Sequence, residues 1–229
     1  MTNEILDKVS SISHPGWRHR IDVGGGVITP GREDSSLELN RLQIDPDLLG
    51  KRLLDIGCSD GYYSFACEQR GAQVTSIDDF TSTPNNEGVN GFSIAAELLD
   101  SKARFIDMSV YDIDSIEGEF DVILLINVLY HLRHPALAVD KIYSKMAVGG
   151  KLYLKTHFHQ DIRFGAFGCD YNRQPIAKFY EGSELNNDPS NWWGLNKKCI
   201  EALLRSSGFT KITKTAKYRD RIYYCATKM

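Results

Sequence analysis

The chain lacks long apolar runs: nothing in it approaches the roughly 20 consecutive apolar residues that a membrane-spanning helix needs. It lacks paired cysteines. The five, Cys58, Cys67, Cys169, Cys199 and Cys225, are scattered and form no C-x-x-C motif, so neither a disulfide framework nor a zinc ribbon organises the fold. It lacks an excess of one charge, since 27 basic and 30 acidic residues give a net charge of −3. A protein that binds by neutralising a phosphate backbone generally carries more cations than that. The start, Met1-Thr2-Asn3-Glu4, lacks the basic-then-apolar character of a secretory signal, so a cytoplasmic protein is expected. Repeats and low-complexity stretches are missing too. What is present, 25% charged and 42% hydrophobic residues in a chain of 229, suits one α/β domain with a substantial core.

The informative stretch is residues 53–61, Leu-Leu-Asp-Ile-Gly-Cys-Ser-Asp-Gly. An apolar run ends in an acid and opens into a glycine-containing turn, and a helix-like segment, residues 62–70, follows at once. Strand, tight turn and helix start together form the part of an α/β sheet where ligands settle. The dinucleotide spacing G-x-G-x-x-G is missing, and so is a Walker lysine. The spacing is Gly57-x-x-x-Gly61, and bulky Tyr62 and Tyr63 occupy the helix start where a phosphate would sit. Such a turn suits a nucleoside ligand with an amino-acid tail and no phosphate, and S-adenosylmethionine is one. A plain βα turn without a ligand is the alternative. Cys58 reads as a small side chain within the turn rather than a nucleophile.

Further strands follow. Residues 73–78 read as a second strand ending in Asp78, 23 residues after Asp55 and beside Asp79. An acid about 20 residues on is placed to accept hydrogen bonds from ribose hydroxyls. Residues 104–110 read as a third strand, with Ser109 and Val110 at its end facing an adenine ring. Residues 121–127, Asp-Val-Ile-Leu-Leu-Ile-Asn, are apolar almost throughout, as in a parallel strand buried on both faces. Residues 151–156 make a fifth. Helices are expected at 62–70, 94–100 and 135–147, the last stopped by Gly149-Gly150.

These features resemble the class I S-adenosylmethionine-dependent methyltransferases, over a core of about residues 51–156 and a closing segment at 196–228. The resemblance implies an α/β, Rossmann-like fold: a seven-stranded, mostly parallel sheet with helices on both faces and the last strand antiparallel. Residues 209–218 and 221–227 would be the final pair. It implies S-adenosylmethionine as cofactor, with Asp55, Gly57, Cys58 and Gly61 at its methionine part and Asp78 on the ribose. Ser109 and Val110 would meet the adenine edge, and Asn127 would close the floor near the sulfonium. The chain is then one methyltransferase domain: residues 1–50 an N-terminal helix and hairpin lid, 51–156 the cofactor core, 157–195 a substrate-side insertion, 196–229 the closing helix and strands.

Two stretches sharpen the resemblance. Residues 127–135, Asn-Val-Leu-Tyr-His-Leu-Arg-His-Pro, and 179–185, Phe-Tyr-Glu-Gly-Ser-Glu-Leu, with Asn191-Trp192-Trp193 beyond, look like the tRNA wobble-uridine carboxymethyltransferases and their small relatives. Those enzymes use a carboxylated cofactor whose carboxylate is held by a lysine, a tyrosine and an arginine. Tyr130 matches the tyrosine and Arg221 the arginine. The lysine follows a Trp-Arg pair, and here Trp17-Arg18 is followed by His19. A histidine, with an unperturbed pKa of roughly 6.5, is a poorer fixed counter-charge. The long N-terminal region of the wobble enzymes is missing as well. Both departures favour ordinary S-adenosylmethionine and a plain methyl transfer.

The candidate general base is His131, which follows the fourth strand and changes charge near neutral pH; its other reading is a structural residue at the helix beginning with Pro135. His134, just before the proline, reads as turn chemistry. Tyr130 contacts acceptor or cofactor, or else is a core aromatic. Acceptor choice is assigned to two segments. The first, residues 14–33, holds Trp17, His19 and a hairpin turning on Gly24-Gly25-Gly26, preceded by a helix at 4–9; it is either a lid or a structural cover. The second, residues 157–196, carries His157, His159, Arg163, Tyr180, Glu181, Trp192 and Trp193. Its tryptophans either stack on an acceptor or fill the core, and Arg221 joins the acceptor set. His157 and His159 alternate on a strand end without a third clear ligand, so no metal is expected.

The Asn-Pro-Pro-Tyr motif of many N-methyltransferases is absent, which favours oxygen. The expected acceptor is therefore a small molecule, through a hydroxyl of a sugar or another metabolite. A tRNA-modifying enzyme is the alternative, with Lys211, Lys214, Lys217, Arg219 and Arg221 either a phosphate track or a solvated strand face. A non-catalytic cofactor-binding subunit is the second alternative. No membrane partner is expected.

Overall fold

The computed structural model describes residues 2–12, 16–80, 88–159 and 174–229. His14 and Arg163 lie outside the described residues. Seven strands form one mixed sheet: β1 (Arg52–Ile56), β2 (Gln73–Asp78), β3 (Arg104–Asp107), β4 (Phe120–Ile126), β5 (Met146–His157), β8 (Lys211–Tyr218) and β9 (Arg221–Thr227). Their order is β3-β2-β1-β4-β5-β9-β8. β2 lies parallel to β1 and β3, and β4 parallel to β5. β9 runs antiparallel to both β5 and β8, so the last strand is the inserted, reversed one. A separate two-stranded antiparallel sheet pairs β6 (Ala177–Phe179) with β7 (Trp193–Leu195). The helices are α1 (Thr2–Ser10), α2 (Glu38–Leu42), α3 (Tyr62–Glu68), α4 (Gly88–Leu98), α5 (Pro135–Lys145) and α6 (Lys197–Ser206). No helix among the described residues is long and apolar enough to cross a membrane.

By packing, the chain divides into two compact units, Met1–Asn40 with Ile44–Asp112, and Arg41–Gln43 with Ile113–Met229. In the first, the N-terminal segment folds as a hairpin. Asp22 bridges Ile28, the Val23 N–H donates to the Val27 carbonyl, and Gly24, Gly25 and Gly26 all take positive φ. Ile21, Val23 and Val27 are buried with Val9, Trp17, Phe65, Phe92 and Ala95. The segment is therefore a packed layer on α1, α3 and α4. In the second unit, β4 is buried along nearly its whole length, as a strand covered on both faces must be. α5 buries Ala138, Val139 and Ile142, and α6 buries Ile200 and Leu204 under an Asn196 N-cap that accepts from the Cys199 N–H.

Several boundaries depart from the sequence reading, among them α4, which spans Gly88–Leu98 rather than residues 94–100. α5 ends at Lys145, and β5 begins at Met146 and runs through Gly149 and Gly150, so the glycines shape the strand's entry rather than stop the helix. β3 ends at Asp107, which places Ser109 and Val110 at the head of a 3₁₀ turn, Val110–Ser115, instead of in the strand. The short β6/β7 sheet carried no period long enough to read. The lysines of β8 fall on a mostly exposed edge strand, where charge keeps the open edge from pairing with other chains.

Candidate active site

The glycine turn in the first unit is fixed by backbone hydrogen bonds. The Gly57 and Cys58 N–H groups donate to the Ile77 carbonyl at 2.8 and 3.1 Å, and the Gly61 N–H to the Cys58 carbonyl at 2.9 Å. Gly57, Ser59 and Gly61 have positive φ. Gly61 cannot be replaced cheaply: at φ +88° a Cβ would also lie 2.5 Å from the Phe65 ring and 2.8 Å from Phe92. Asp78, at the end of β2, accepts the Ser59 N–H on Oδ2 at 2.8 Å and the Asp79 N–H on Oδ1 at 3.0 Å. Burial pushes its carboxyl up, against the pull of those two N–H groups. Each oxygen keeps acceptor capacity, which suits a pair of ribose hydroxyls.

Not every turn residue faces a ligand. Asp55 is 1% exposed, and its Oδ2 accepts from the Ser64 hydroxyl at 2.6 Å, which in turn meets the Ser76 hydroxyl at 2.8 Å. Burial pushes its pKa up to about 6. Its bonds tie β1 to α3 and β2, so it braces the turn from inside. Cys58 sits in the buried cluster beside Trp17 and Phe65, with burial pushing its thiol well up. Ser109 accepts the Asp112 N–H on its carbonyl at 3.0 Å, and Val110 is buried.

Two acceptor candidates of this unit turn out to be internal. Trp17 is a core residue, 4% exposed, with its indole N–H donating to the Val9 carbonyl at 3.0 Å. His19 is equally buried, and its Nδ1 lies 2.5 Å from Oδ1 of Asp60, which is fully buried in the glycine turn. The other Asp60 oxygen accepts the Arg18 and His19 N–H groups at 2.8 and 2.7 Å. Asp60 thus fastens the N-terminal segment to the turn. The sequence names Asp60 only as part of the turn, and nothing local links it to a histidine 41 residues away.

In the second unit, Asn127 follows β4 with φ +60°. Its N–H donates to the Lys155 carbonyl at 2.7 Å, and its Oδ1 is buried without a partner among the described residues. A 3₁₀ turn, Leu129–His131, then presents Tyr130 and His131, with ring centroids 4.2 Å apart. Tyr130 is buried, the His157 ring stands edge-on 6.1 Å away, and the Arg221 guanidinium lies 5.3 Å from the Tyr130 ring centre. The Tyr130 carbonyl accepts the Trp192 N–H at 2.9 Å. His131 Nδ1 contacts the Ser190 hydroxyl at 2.9 Å and the Ser190 carbonyl at 3.2 Å, and the hydroxyl donates to Asp188 at 2.6 Å. Trp192 stacks on Phe179 at 6.0 Å, and the Arg133 guanidinium lies 4.5 Å from the Trp192 ring and 4.8 Å from Phe179. Trp193 donates its indole N–H to the Arg133 carbonyl at 3.4 Å. Tyr130, His131, Trp192 and Arg221 therefore share one neighbourhood, with Trp193 behind Arg133. Among the described residues no group of three His, Cys, Asp or Glu side chains is placed to hold a metal.

Comparison with known proteins fixes the class. Residues 33–192 match the family model described as a methyltransferase domain. A ubiquinone biosynthesis O-methyltransferase of Psychrobacter arcticus is 36% identical over 151 residues, 61% of this chain and 57% of the relative. A tRNA U34 carboxymethyltransferase of Campylobacter hominis is 31% identical over 124 residues, 54% of this chain and 42% of the relative. The chain thus spans less than two thirds of the length of these two curated relatives. The N-terminal domain of EvdMO1 with SAH bound superposes with a TM-score of 0.70 at 16% identity, covering 100% of this chain and 98% of that one. The chain belongs to the methyltransferase domain family, in the class I fold, whose cofactor is S-adenosylmethionine. The residues fit that cofactor, since the glycine turn and the Asp78 carboxylate offer backbone and hydroxyl-binding groups.

Asp78→Ala is expected to weaken S-adenosylmethionine binding by roughly 10- to 100-fold, the worth of hydrogen bonds to a charged acceptor. Isothermal titration checks it, and unchanged affinity would pass the ribose role to Asp79.

Proposed function

We propose that this chain transfers a methyl group to a hydroxyl of a small-molecule acceptor, a sugar or another metabolite, with His131 as general base. Bound S-adenosylmethionine supplies a methyl group on a sulfonium, activated for displacement by an oxygen. Gly57, Gly61 and Asp78 hold the cofactor, with Ser109 and Val110 at the adenine edge. Asp55 and Cys58 support the turn from within.

The observation that carries the base assignment is the pair of contacts at His131 Nδ1. A carbonyl can only accept, and the Ser190 hydroxyl has given its proton to Asp188. Nδ1 therefore bears the ring proton, and Nε2 carries the lone pair that takes the hydroxyl proton. Tyr130 and Trp192 line the acceptor side, with Arg133 and Phe179 extending an aromatic, cationic shelf on which a sugar or flat ring can lie. The relative named as a ubiquinone biosynthesis O-methyltransferase supports oxygen as the methylated atom.

The relative named as a tRNA enzyme favours a second reading, methylation or carboxymethylation of tRNA. Charge speaks against it. Arg221 is already bonded to Asp220, so it is a neutralised arginine rather than a waiting counter-charge. The test is incubation with radiolabelled S-adenosylmethionine, a panel of phenols and glycosides, and bulk tRNA at low and high salt. Label is expected in a small-molecule hydroxyl. Label in tRNA, or tRNA bound tightly at low salt and released at high salt, would overturn the small-molecule reading.

A further inference from the structure

His157 ends β5 and is 6% exposed. Its Nδ1 lies 3.1 Å from Asp220 Oδ2 and 3.2 Å from Arg221 Nη1, and Arg221 bonds the same Asp220 oxygen. The Phe158 N–H donates to the Asp220 carbonyl at 3.1 Å, which locks the turn between β8 and β9 onto the end of β5. Burial lowers the His157 pKa, although the Asp220 contact opposes it. Burial works against the Asp220 charge, but the Arg221 guanidinium, the His157 contact and a backbone N–H together outweigh it and hold that carboxyl low. The ring is therefore neutral, and its Nδ1 lies between a carboxylate, which only accepts, and a guanidinium, which only donates. Nε2 is buried with no partner among the described residues.

A buried polar atom left without a partner costs about 1–3 kcal/mol, so native proteins rarely keep one without a reason. Here it has company. Asn127 Oδ1 and Asn191 Oδ1 are buried and unpartnered among the described residues as well. Asn127 precedes the turn carrying Tyr130, and Asn191 precedes Trp192, whose N–H is bonded to the Tyr130 carbonyl. These three polar atoms sit on chain segments that meet at Tyr130. A hydroxyl, which both donates and accepts, satisfies His157 Nε2 in either tautomer and the amide oxygens as well.

We propose that His157 is an acceptor-binding residue whose Nε2 hydrogen-bonds a hydroxyl of the methyl acceptor. Asp220 is its positioning residue. The acceptor class is thereby narrowed to molecules with hydroxyls beyond the one methylated, since His131 handles that one. This rests on the small-molecule reading above.

The test uses the whole chain labelled with 15N-histidine and saturated with S-adenosylhomocysteine. The His157 signals are assigned by their loss in His157→Gln. Catechol and methyl α-D-glucoside are titrated in, each against its fully O-methylated counterpart. A shift of His157 Nε2 with a hydroxyl probe, and none with its methylated counterpart, is the expected result. An Nε2 unmoved by both hydroxyl probes, or moved equally by the methylated ones, overturns the proposal. Methyl transfer to the same probes is read in parallel. Transfer with a silent His157 removes this inference alone, whereas a His157 shift without transfer supports the binding role and counts against the proposed reaction.

Discussion

His131→Ala lowers kcat by roughly 10²- to 10⁴-fold, the usual worth of a general base, and leaves S-adenosylmethionine affinity unchanged. The expectation follows from where the side chain is anchored. His131 sits on a short 3₁₀ turn, and its Nδ1 is bonded to Ser190, so the ring is oriented from behind. Its removal deletes a proton acceptor without disturbing the glycine turn, which is closed by its own backbone bonds. The acid limb of the pH–rate profile, which reports deprotonation of the base, should disappear with the imidazole. Ser190→Ala gives a smaller loss in kcat, because the Ser190 carbonyl still accepts from Nδ1. Single-turnover transfer together with calorimetric cofactor affinity reads both quantities. A kcat that survives His131→Ala would make the residue a structural link to the Ser190 loop. Lost cofactor affinity would do the same by another route.

The parts of this protein that were legible beforehand are those set by local pattern. β2 spans the very residues the sequence pattern marks, and β9 those the family resemblance implies. The hairpin at Gly24-Gly25-Gly26 was legible because only glycine takes positive φ at three successive positions without strain. What could not be read is pairing over long separations. Trp17 looks like any aromatic near a functional motif until its indole is seen on the Val9 carbonyl. His19 and Asp60 are 41 residues apart, and no period links them. His157 and Asp220 are 63 apart and meet only because β9 folds back along β5 in the register Thr156 to Ile222 and His157 to Arg221. Alternation of His157 with His159 marked the place but raised only a metal, since spacing shows two imidazoles and not the carboxylate opposite one of them.

Asp60→Ala is expected to be the most damaging single truncation in the first unit. The carboxylate is 0% exposed and has three donors directed at it, two of them backbone N–H groups. Alanine leaves the buried His19 N–H, the part-buried Arg18 N–H and the His19 ring without their partner. At about 1–3 kcal/mol for each unsatisfied buried group, the loss is a large share of a typical domain stability of roughly 5–15 kcal/mol. Water can relieve part of it only if the segment from Trp17 to Glu33 lifts off. That movement would expose Ile21, Val23 and Val27 to water, together with the Thr29 hydroxyl bonds to the Ile21 N–H and the His19 carbonyl. Hydrogen exchange at the Ile21 and Thr29 amides should therefore accelerate together, and the melting temperature should fall by several degrees. Because Asp60 lies between Ser59, whose N–H holds Asp78, and Gly61, cofactor affinity should fall as well. Asp60→Asn keeps one accepting oxygen for the backbone pair, and its amide can donate to a neutral His19 Nδ1, so it is expected to be milder on all three measures. Exchange rates and cofactor affinity that stay at wild-type values in Asp60→Ala would show that the hairpin is held by its apolar face alone, and that the clamp on the turn contributes nothing to cofactor binding.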